Sequence, residues 1–467
     1  MEALQLQSDR ESYRIIALRR DRTELLLIAQ ENGLQFPSVE IPRWERVAGN
    51  LISAVKRTWG CEAVCSFTLE EVLQRKSFDG RSDQIMECWG DVEMRTGNSL
   101  WVPICSLSQH EFVDGREYAA LVQFLTKCNS DEVDPTAPFA KCGWFHHLQS
   151  WIAEMIRPLG LRLNGSFRQF NASPSFSLIR FETSGPAIWF KAAGEPNRHE
   201  FGITLKLVEL FPNFLPKIIA TRADWNGWLC FEAEGSDLGE TREISLWETT
   251  AAILARLQIE SVSKVSDITV SGDRDLSTDR LSALVHPFFD VMAQLMRRQT
   301  KALPAILSQE ELHRLEERIQ ECLALLQDVG IPDALGHLDL NPGNIITSPR
   351  GCAFLDWAEA YGGNPFFSFQ YLLEHFRRAM AADSAAESRL TCAYAEQWQT
   401  MASRVAIDEG LRLSRLLAVF AYAAGTNVWR DQERLKDPTT AGHLRSLTRR
   451  MIREANQLSD RRSLCLC

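Results

Sequence analysis

The stretch from Leu335 to Trp357, LGHLDLNPGNIITSPRGCAFLDW, restricts the fold of this chain more than any other segment. Ile345-Ile346-Thr347 and Cys352-Ala353-Phe354-Leu355 are strand-like runs, and Ser348-Pro349-Arg350-Gly351 joins them. Pro at the second and Gly at the fourth position suit a reversing turn, so the segment predicts a tight hairpin. The residue entering the first strand, Asn344, and the residue leaving the second, Asp356, then share the open end. Asp339 stands five positions before Asn344. Two carboxylates and an amide oxygen can thus converge without help from the rest of the fold. Hard oxygen donors of this kind suit Mg²⁺, which keeps several waters and is completed by substrate phosphates.

The order His337-Leu338-Asp339-Leu340-Asn341-Pro342-Gly343-Asn344, with Asp356 after a short hairpin, resembles the catalytic and metal loops of protein-kinase-like enzymes. Its form is most similar to the aminoglycoside phosphotransferase and choline kinase group. The resemblance implies that Asp339 orients the substrate hydroxyl and accepts its proton, while Asn344 and Asp356 hold Mg²⁺ against the phosphates of ATP. Leu338 and Asn341 stand where the family often has Gly and His, and Asn364-Pro365 with Ser368 replaces its D-P-x-x-D segment. That segment supports the catalytic loop, so the loss of both acids predicts a less stiff support.

A chain of 467 residues exceeds one ordinary core, so two or three folding units are expected. With 51 basic and 61 acidic residues the formal net charge is −10, which argues against a nucleic-acid binder relying on phosphate neutralisation. Twelve cysteines occur without any C-x-x-C pair, so neither a zinc knuckle nor a disulfide framework is encoded. The start, MEALQLQSDRESYRIIALRR, lacks an apolar run behind a basic end, and no segment reaches membrane-span length. A cytoplasmic protein without a membrane partner is the expectation.

Residues 1–128 read as an accessory domain of α/β or α+β type. Tyr13–Leu18 and Glu24–Ala29 form a hairpin pattern, and Trp44, Val47, Ala48, Leu51, Ile52, Val55 and Trp59 mark one helix face with Gly60 as its stop. The order resembles a Nudix hydrolase. Aligning Gly60 with the last Gly of the Nudix box puts Arg57 and Thr58 in place of two metal-binding glutamates and Ser53-Ala54 in place of its Arg-Glu pair; Glu45 alone survives. A basic side chain at a ligand position repels the ion, so this unit reads as degenerate Nudix-like, or as an unrelated small domain. Residues 129–143, rich in Asp, Pro and small residues, read as a linker.

Residues 144–235 alternate strands with a single helix: Ser166–Phe170, Ser175–Glu182, Ala187–Ala192, a helix from Asn197 to Phe211, then Lys217–Thr221 and Trp228–Glu234. Five antiparallel strands with a helix after the third are similar to a kinase small lobe. That likeness implies that Lys191 grips the nucleotide phosphates and pairs with Glu200 on the following helix. It also implies that the turn Asn171–Ser175 covers the phosphates. This turn lacks glycine, so the Ser173 and Ser175 hydroxyls would serve in place of close backbone N–H groups. Backbone groups near Glu232 and Ala233 would meet the adenine edge; as side chains, Glu232 and Glu234 read simply as exposed strand residues.

Residues 236–467 turn helical, with a capping box at Ser308 and Glu311 and helices expected over Phe366–Met380, Ser388–Val405, Leu411–Ala424 and Ala441–Leu458. Arg445, Arg449, Arg450 and Arg453 on the last of these read as a solvated face. The expected architecture is α+β: a bilobal protein-kinase-like fold, with an antiparallel-sheet small lobe and a helical large lobe, behind a separate N-terminal domain. The expected activity is ATP- and Mg²⁺-dependent phosphate transfer to a small-molecule hydroxyl; the alternative is a nucleotide-binding pseudokinase-type regulator that transfers nothing. The acceptor stays open. An aminoglycoside would need acids such as Glu359, Glu374 and Asp383 in its pocket.

Overall fold

The computed structural model describes residues 10–19, 21–43, 46–68, 81–89, 98–129, 139, 143–173, 175–269, 274–380 and 383–460. Nearly all of the 129–143 linker, together with Trp44, Glu45 and Pro174, lies outside them. The chain divides into two compact units, one of Met1–Phe201 with Lys217–Glu232, the other of Gly202–Pro216 with Ala233–Cys467.

The first unit begins with strands β1 (Arg10–Arg19), β2 (Glu24–Gln30), β3 (Gly33–Gln35) and β4 (Ser38–Pro42), helix α1 (Val47–Trp59), strands β5 (Glu62–Thr68), β6 (Ser82–Trp89) and β7 (Ser99–Pro103), and helix α2 (Gly115–Asn129). The sheet order is β3-β2-β1-β6-β5, with β4 on β1 and β7 on β2. β1 pairs with β6 in parallel, so it is central and reads as a continuous apolar run. Helix α1 buries Ala48, Leu51, Val55 and Trp59, as its periodicity predicts. It ends at Gly60, whose φ of 72° is a left-handed conformation that costs a residue without Cβ nothing.

Helix α3 (Trp144–Ile156) then leads into β8 (Leu163–Ser173), β9 (Phe176–Thr183), β10 (Ile188–Ala193), helix α4 (Glu200–Leu210), β11 (Ile218–Arg222) and β12 (Gly227–Phe231). The sheet is antiparallel throughout, in the order β11-β12-β10-β9-β8. Strand alternation sends Ile188, Phe190, Ile179, Phe181 and Leu229 to one face, where Trp144, Phe145, Leu148 and Ile152 of α3 cover them. Trp189 and Lys191 therefore belong to the opposite face. The N-terminal sheet is joined to this one by a side chain that imitates a strand: Gln169 accepts from Cys65 N at 2.8 Å and donates to Cys65 O at 2.9 Å. Trp89 stacks on both Phe145 and Phe167 beside it.

The second unit contains β13 (Ser236–Asp237), α5 (Ile244–Ser261), α6 (Val265–Thr269), β14 (Asp275–Leu276), α7 (Thr278–Arg297), α8 (Gln309–Val329), β15 (Ala334–His337), β16 (Ile345–Ser348), β17 (Gly351–Phe354), β18 (Ala360–Gly363), α9 (Phe366–Ala379), α10 (Ser384–Trp398), α11 (Arg404–Gly425) and α12 (Pro438–Asp460). Two apolar clusters support it. One centres on Trp247, Leu254, Phe366, Tyr394 and Trp398, the other on Phe288, Met292, Leu323, Leu417 and Phe420. The capping box forms, with Glu311 N donating to Ser308 Oγ at 3.1 Å and Ser308 N to Glu311 Oε2 at 2.7 Å. One expected helix is corrected. The run through Ser388–Val405 breaks after Trp398 and restarts at Arg404, because Ser403 caps a new helix by accepting from Ala406 N at 3.2 Å. No helix among the described residues is long and apolar enough to cross a membrane. A five-stranded antiparallel sheet with a helix after its third strand, followed by a helical unit that carries a loop and a hairpin, is a protein-kinase-like α+β fold.

Candidate active site

The hairpin forms in the expected register. Ile345 faces Phe354 and Ser348 faces Gly351, so the turn is the one that Pro349 and Gly351 predict. At the open end Leu355 N donates to Asn344 O at 2.8 Å, and Asp356 follows directly. Asp356 adopts a left-handed backbone, φ 60°, which is costly for a residue with a Cβ and turns the chain out of the strand. On the entry side, Asn341 Oδ1 accepts from Gly343 N at 3.0 Å and so starts the short turn Pro342–Asn344.

Asp339 lies at the centre of these contacts. Its Oδ1 accepts from Asn341 Nδ2 at 3.1 Å and from the Tyr371 hydroxyl at 3.3 Å. Asn344 Nδ2 donates to Asp339 O at 2.9 Å and to Oδ2 at 3.3 Å, which turns the Asn344 amide oxygen away from that carboxylate. Burial, reinforced by the Asp339 charge, pushes the Tyr371 phenol well above its ordinary value, so it stays a donor. The set of Asn344, Asp356 and Asp339 offers hard oxygens only and fits Mg²⁺.

His337 braces both halves of the motif. Its Nδ1 accepts from Asp339 N at 3.1 Å, so the ring proton resides on Nε2, which donates to Leu355 O at 3.0 Å. The side chain is buried and packs against Trp357. The segment that lacks both acids is hydrogen-bonded by neutral groups. Ser368 Oγ accepts from His337 N at 2.8 Å and meets the Tyr361 hydroxyl at 3.1 Å, while Asn364 Oδ1 accepts from Phe366 N at 3.0 Å. Neutral side chains thus supply the hydrogen bonds of this segment.

In the first unit Lys191 Nζ donates to Glu200 Oε1 at 2.5 Å. Glu200 is 2% exposed and opens α4, three residues later than the expected start, where the helix end favours its charge. Phe176 and Trp228 flank the ammonium at 5.6 and 5.8 Å. The cover turn is tighter than expected. β8 runs to Ser173, which pairs with Phe176; Ser173 Oγ accepts from Asn171 Nδ2 at 3.0 Å, and Ser175 O accepts from Gly194 N at 2.7 Å.

The hinge strand ends at Phe231, earlier than expected, and Glu232 is not a plain exposed strand residue. Its N–H donates to Ala187 O at 3.0 Å, and its carboxylate accepts from Arg180 Nε at 2.6 Å and from the Trp189 indole at 3.0 Å. Arg180 holds that carboxyl below the usual range. Ala233 lies past the strand, where the chain re-enters the second unit. On α1, Arg57 is exposed and the first turn holds no acid, while Glu45 lies outside the described residues.

The three acids considered for an aminoglycoside are all engaged. Glu359 pairs with Arg274; Asp383 caps α10 by accepting from Ala385 N and Ala386 N; Glu374 contacts Arg378 at 2.8 Å and Arg450 at 3.0 Å. The basic face of α12 is corrected in the same way. Arg450 reaches Glu374, and Arg449 spans to Ala305 O at 2.9 Å and Gln299 Oε1 at 2.6 Å. Sequence reasoning placed Ser368 only in a weakened supporting segment and gave no role to Tyr371. The i, i+3 spacing of Ser368 and Tyr371 on one helix after the loop was the available signal.

Among curated proteins, none matches this sequence. Solved structures resemble it at low identity. An ethanolamine kinase of Plasmodium vivax is 13% identical, with 72% of this chain and 93% of that one covered and a TM-score of 0.46. For a choline kinase of Streptococcus pneumoniae the values are 14%, 66%, 99% and 0.42. For an ADP-bound aminoglycoside phosphotransferase they are 14%, 66%, 98% and 0.44. Residues 234–403, which hold the Asp339 loop, the hairpin and its Ser368 support, match a family described as the phosphotransferase enzyme family.

Proposed function

We propose that this protein transfers the γ-phosphate of ATP to a hydroxyl of a small molecule. The observation that carries the reading is Asp339, a carboxylate aimed by Asn341, Asn344 and Tyr371 and tied through His337 to the strand end that precedes Asp356. The hydroxyl oxygen forms a bond to the γ-phosphorus as the bond from that phosphorus to the β–γ bridging oxygen breaks. The electron pair leaves on ADP, and the hydroxyl proton passes to Asp339. Asn344 and Asp356 would hold Mg²⁺, which when bound neutralises phosphate charge. Lys191, oriented by Glu200, contributes a second positive charge for the α- and β-phosphates; Ser173 and Ser175 supply donors at the cover turn, and the backbone at Glu232 and Ala233 meets the base.

There is little covalent work for the protein in such a reaction, so positioning dominates. Replacing Asp339 by Ala lowers turnover by about 10² to 10⁴ while leaving nucleotide affinity nearly intact. ADP release and ATP-dependent thermal shifts on the same preparation measure both. Full turnover in the variant ends the assignment.

A further inference from the structure

Beside Asp339 the second unit contains a cavity of about 210 Å³, smaller than the roughly 300–1,000 Å³ of pockets that hold drug-sized ligands. It is lined by side-chain stripes of three helices. Tyr371, Glu374, His375 and Arg378 follow one another on α9 at helical spacing, Arg415 and Tyr422 lie on α11, and Arg450 and Glu454 on α12. Tyr371 belongs to both places, since its hydroxyl donates to Asp339 Oδ1 at 3.3 Å. A hydroxyl presented at that end of the cavity is next to the base.

The lining is rich in arginine. Arg377, Arg378, Arg415 and Arg450 line the cavity together with two acids, Glu374 and Glu454, and Arg377 is tied to a third, Glu387, at 2.6 and 2.9 Å. The two lining acids are already engaged by the guanidiniums: Glu374 contacts Arg378 at 2.8 Å, Arg450 at 3.0 Å and Arg377 at 4.0 Å, and Glu454 lies 3.7 Å from Arg415. Burial pushes the Glu374 carboxyl up, but Arg450 and Arg378 outweigh it and hold the group below its ordinary range. Burial and the neighbouring Arg378 lower His375, so it adds no positive charge at neutral pH. Arg378 and Arg450 share the Glu374 carboxylate, and with five N–H donors on each guanidinium the pair offers more donors than that one group can accept. A cationic acceptor entering beside Arg378 and Arg450 would meet two like charges held against one carboxylate. The Tyr371 and Tyr422 rings, 6.0 Å apart, do not offset that, since a cation over an aromatic face gains only about 0.5–2 kcal/mol.

We infer that this cavity is the acceptor pocket and that its acceptor is an anion, a small hydroxy compound bearing a carboxylate or phosphate group that Arg450 and Arg378 bind while its hydroxyl faces Asp339. The inference rests on the phosphotransferase reading above and narrows it. It sets this chain apart from enzymes whose acceptors are ammonium compounds.

The test uses the full chain and four probes: D-glycerate as the carboxylate, glycerol 3-phosphate as the phosphate, and choline and kanamycin as cations. Calorimetry should register binding of at least one anion and of neither cation, and that anion should accept label from γ-labelled ATP. Arg450→Gln should weaken anion binding by about tenfold or more, the loss of one charge-assisted contact, with Arg450→Lys recovering part of it and circular dichroism reporting the fold of both. KM for the anion should rise with salt. Label on choline or kanamycin, or anion binding indifferent to Arg450→Gln, overturns the inference and leaves the phosphotransferase reading in place. If an anion binds through Arg450 but no probe accepts label, the acceptor assignment and the phosphotransferase reading fall together, while the anion pocket stands.

Discussion

Ser368 carries no charge, yet it supports the loop in which Asp339 stands. Its hydroxyl accepts the His337 amide proton and meets the Tyr361 hydroxyl at a fully buried position. Replacing it by Ala leaves a buried N–H without an acceptor, which costs about 1–3 kcal/mol. We expect urea unfolding of Ser368→Ala to report a loss in that range, and turnover to fall because Asp339 loses its backing; stability equal to wild type refutes the bracing role. The sequence placed Ser368 in the supporting segment but not the bond it makes, for a physical reason. A serine three residues after a proline reads as an ordinary first-turn residue, and only the packing of α9 against β15 brings it to His337.

At the scale of elements, β15 and β18 approach each other so closely that Gly336 is required. A Cβ at this position would lie 1.9 Å from Cζ of Tyr361, whose ring is 1% exposed and whose hydroxyl is bonded to Asn364 O and Ser368. The ring has no rotamer to yield without losing those bonds. Gly336→Ala should therefore destabilise by at least the about 1–3 kcal/mol typical of overpacking, seen as a lower thermal midpoint. An unchanged midpoint would mean that β15 shifts freely. The hairpin β16–β17 behaves differently: its register was readable from Pro349 and Gly351, because a tight turn is a local property. Helix limits were readable where caps were strong, as at Gly60 and Ser308, and misread at Trp398–Arg404, where apolar periodicity continues across the break.

At the scale of the whole molecule, the N-terminal sheet and the Lys191 sheet form one unit rather than a tethered pair. Gln169, 3% exposed, meets both backbone groups of Cys65, and Trp89 covers Phe145 and Phe167. A chain starting at residue 129 leaves those rings open to water; we expect it to aggregate or melt earlier than the full chain, and equal solubility and midpoint would argue against this interlock. Acid should weaken the second unit through Glu374. Its folded pKa lies below the ordinary 4.5, so its arginine contacts stabilise the protein above that value, and the contribution is lost as pH falls through the folded pKa. Thermal midpoints taken from pH 6 downward should therefore fall less steeply below about 4.5 in Glu374→Gln than in wild type.

The sequence by itself determined the proposed reaction centre and the elements that carry it. Asp339, Asn344 and Asp356 occupy one loop and one hairpin, and Lys191 and Glu200 one strand and the helix after it, so short-range chemistry and alternation suffice to find them. Tertiary structure alone decided what surrounds that centre. Tyr371 and Ser368, the engagement of Glu359, Glu374 and Asp383, and the arginine-rich cavity all depend on α9, α11 and α12 meeting side by side. Each helix shows its polar stripe in the sequence, but a polar stripe facing solvent and one facing another helix have the same period. Which stripes close around a cavity, and with what net charge, is settled only when the helices pack.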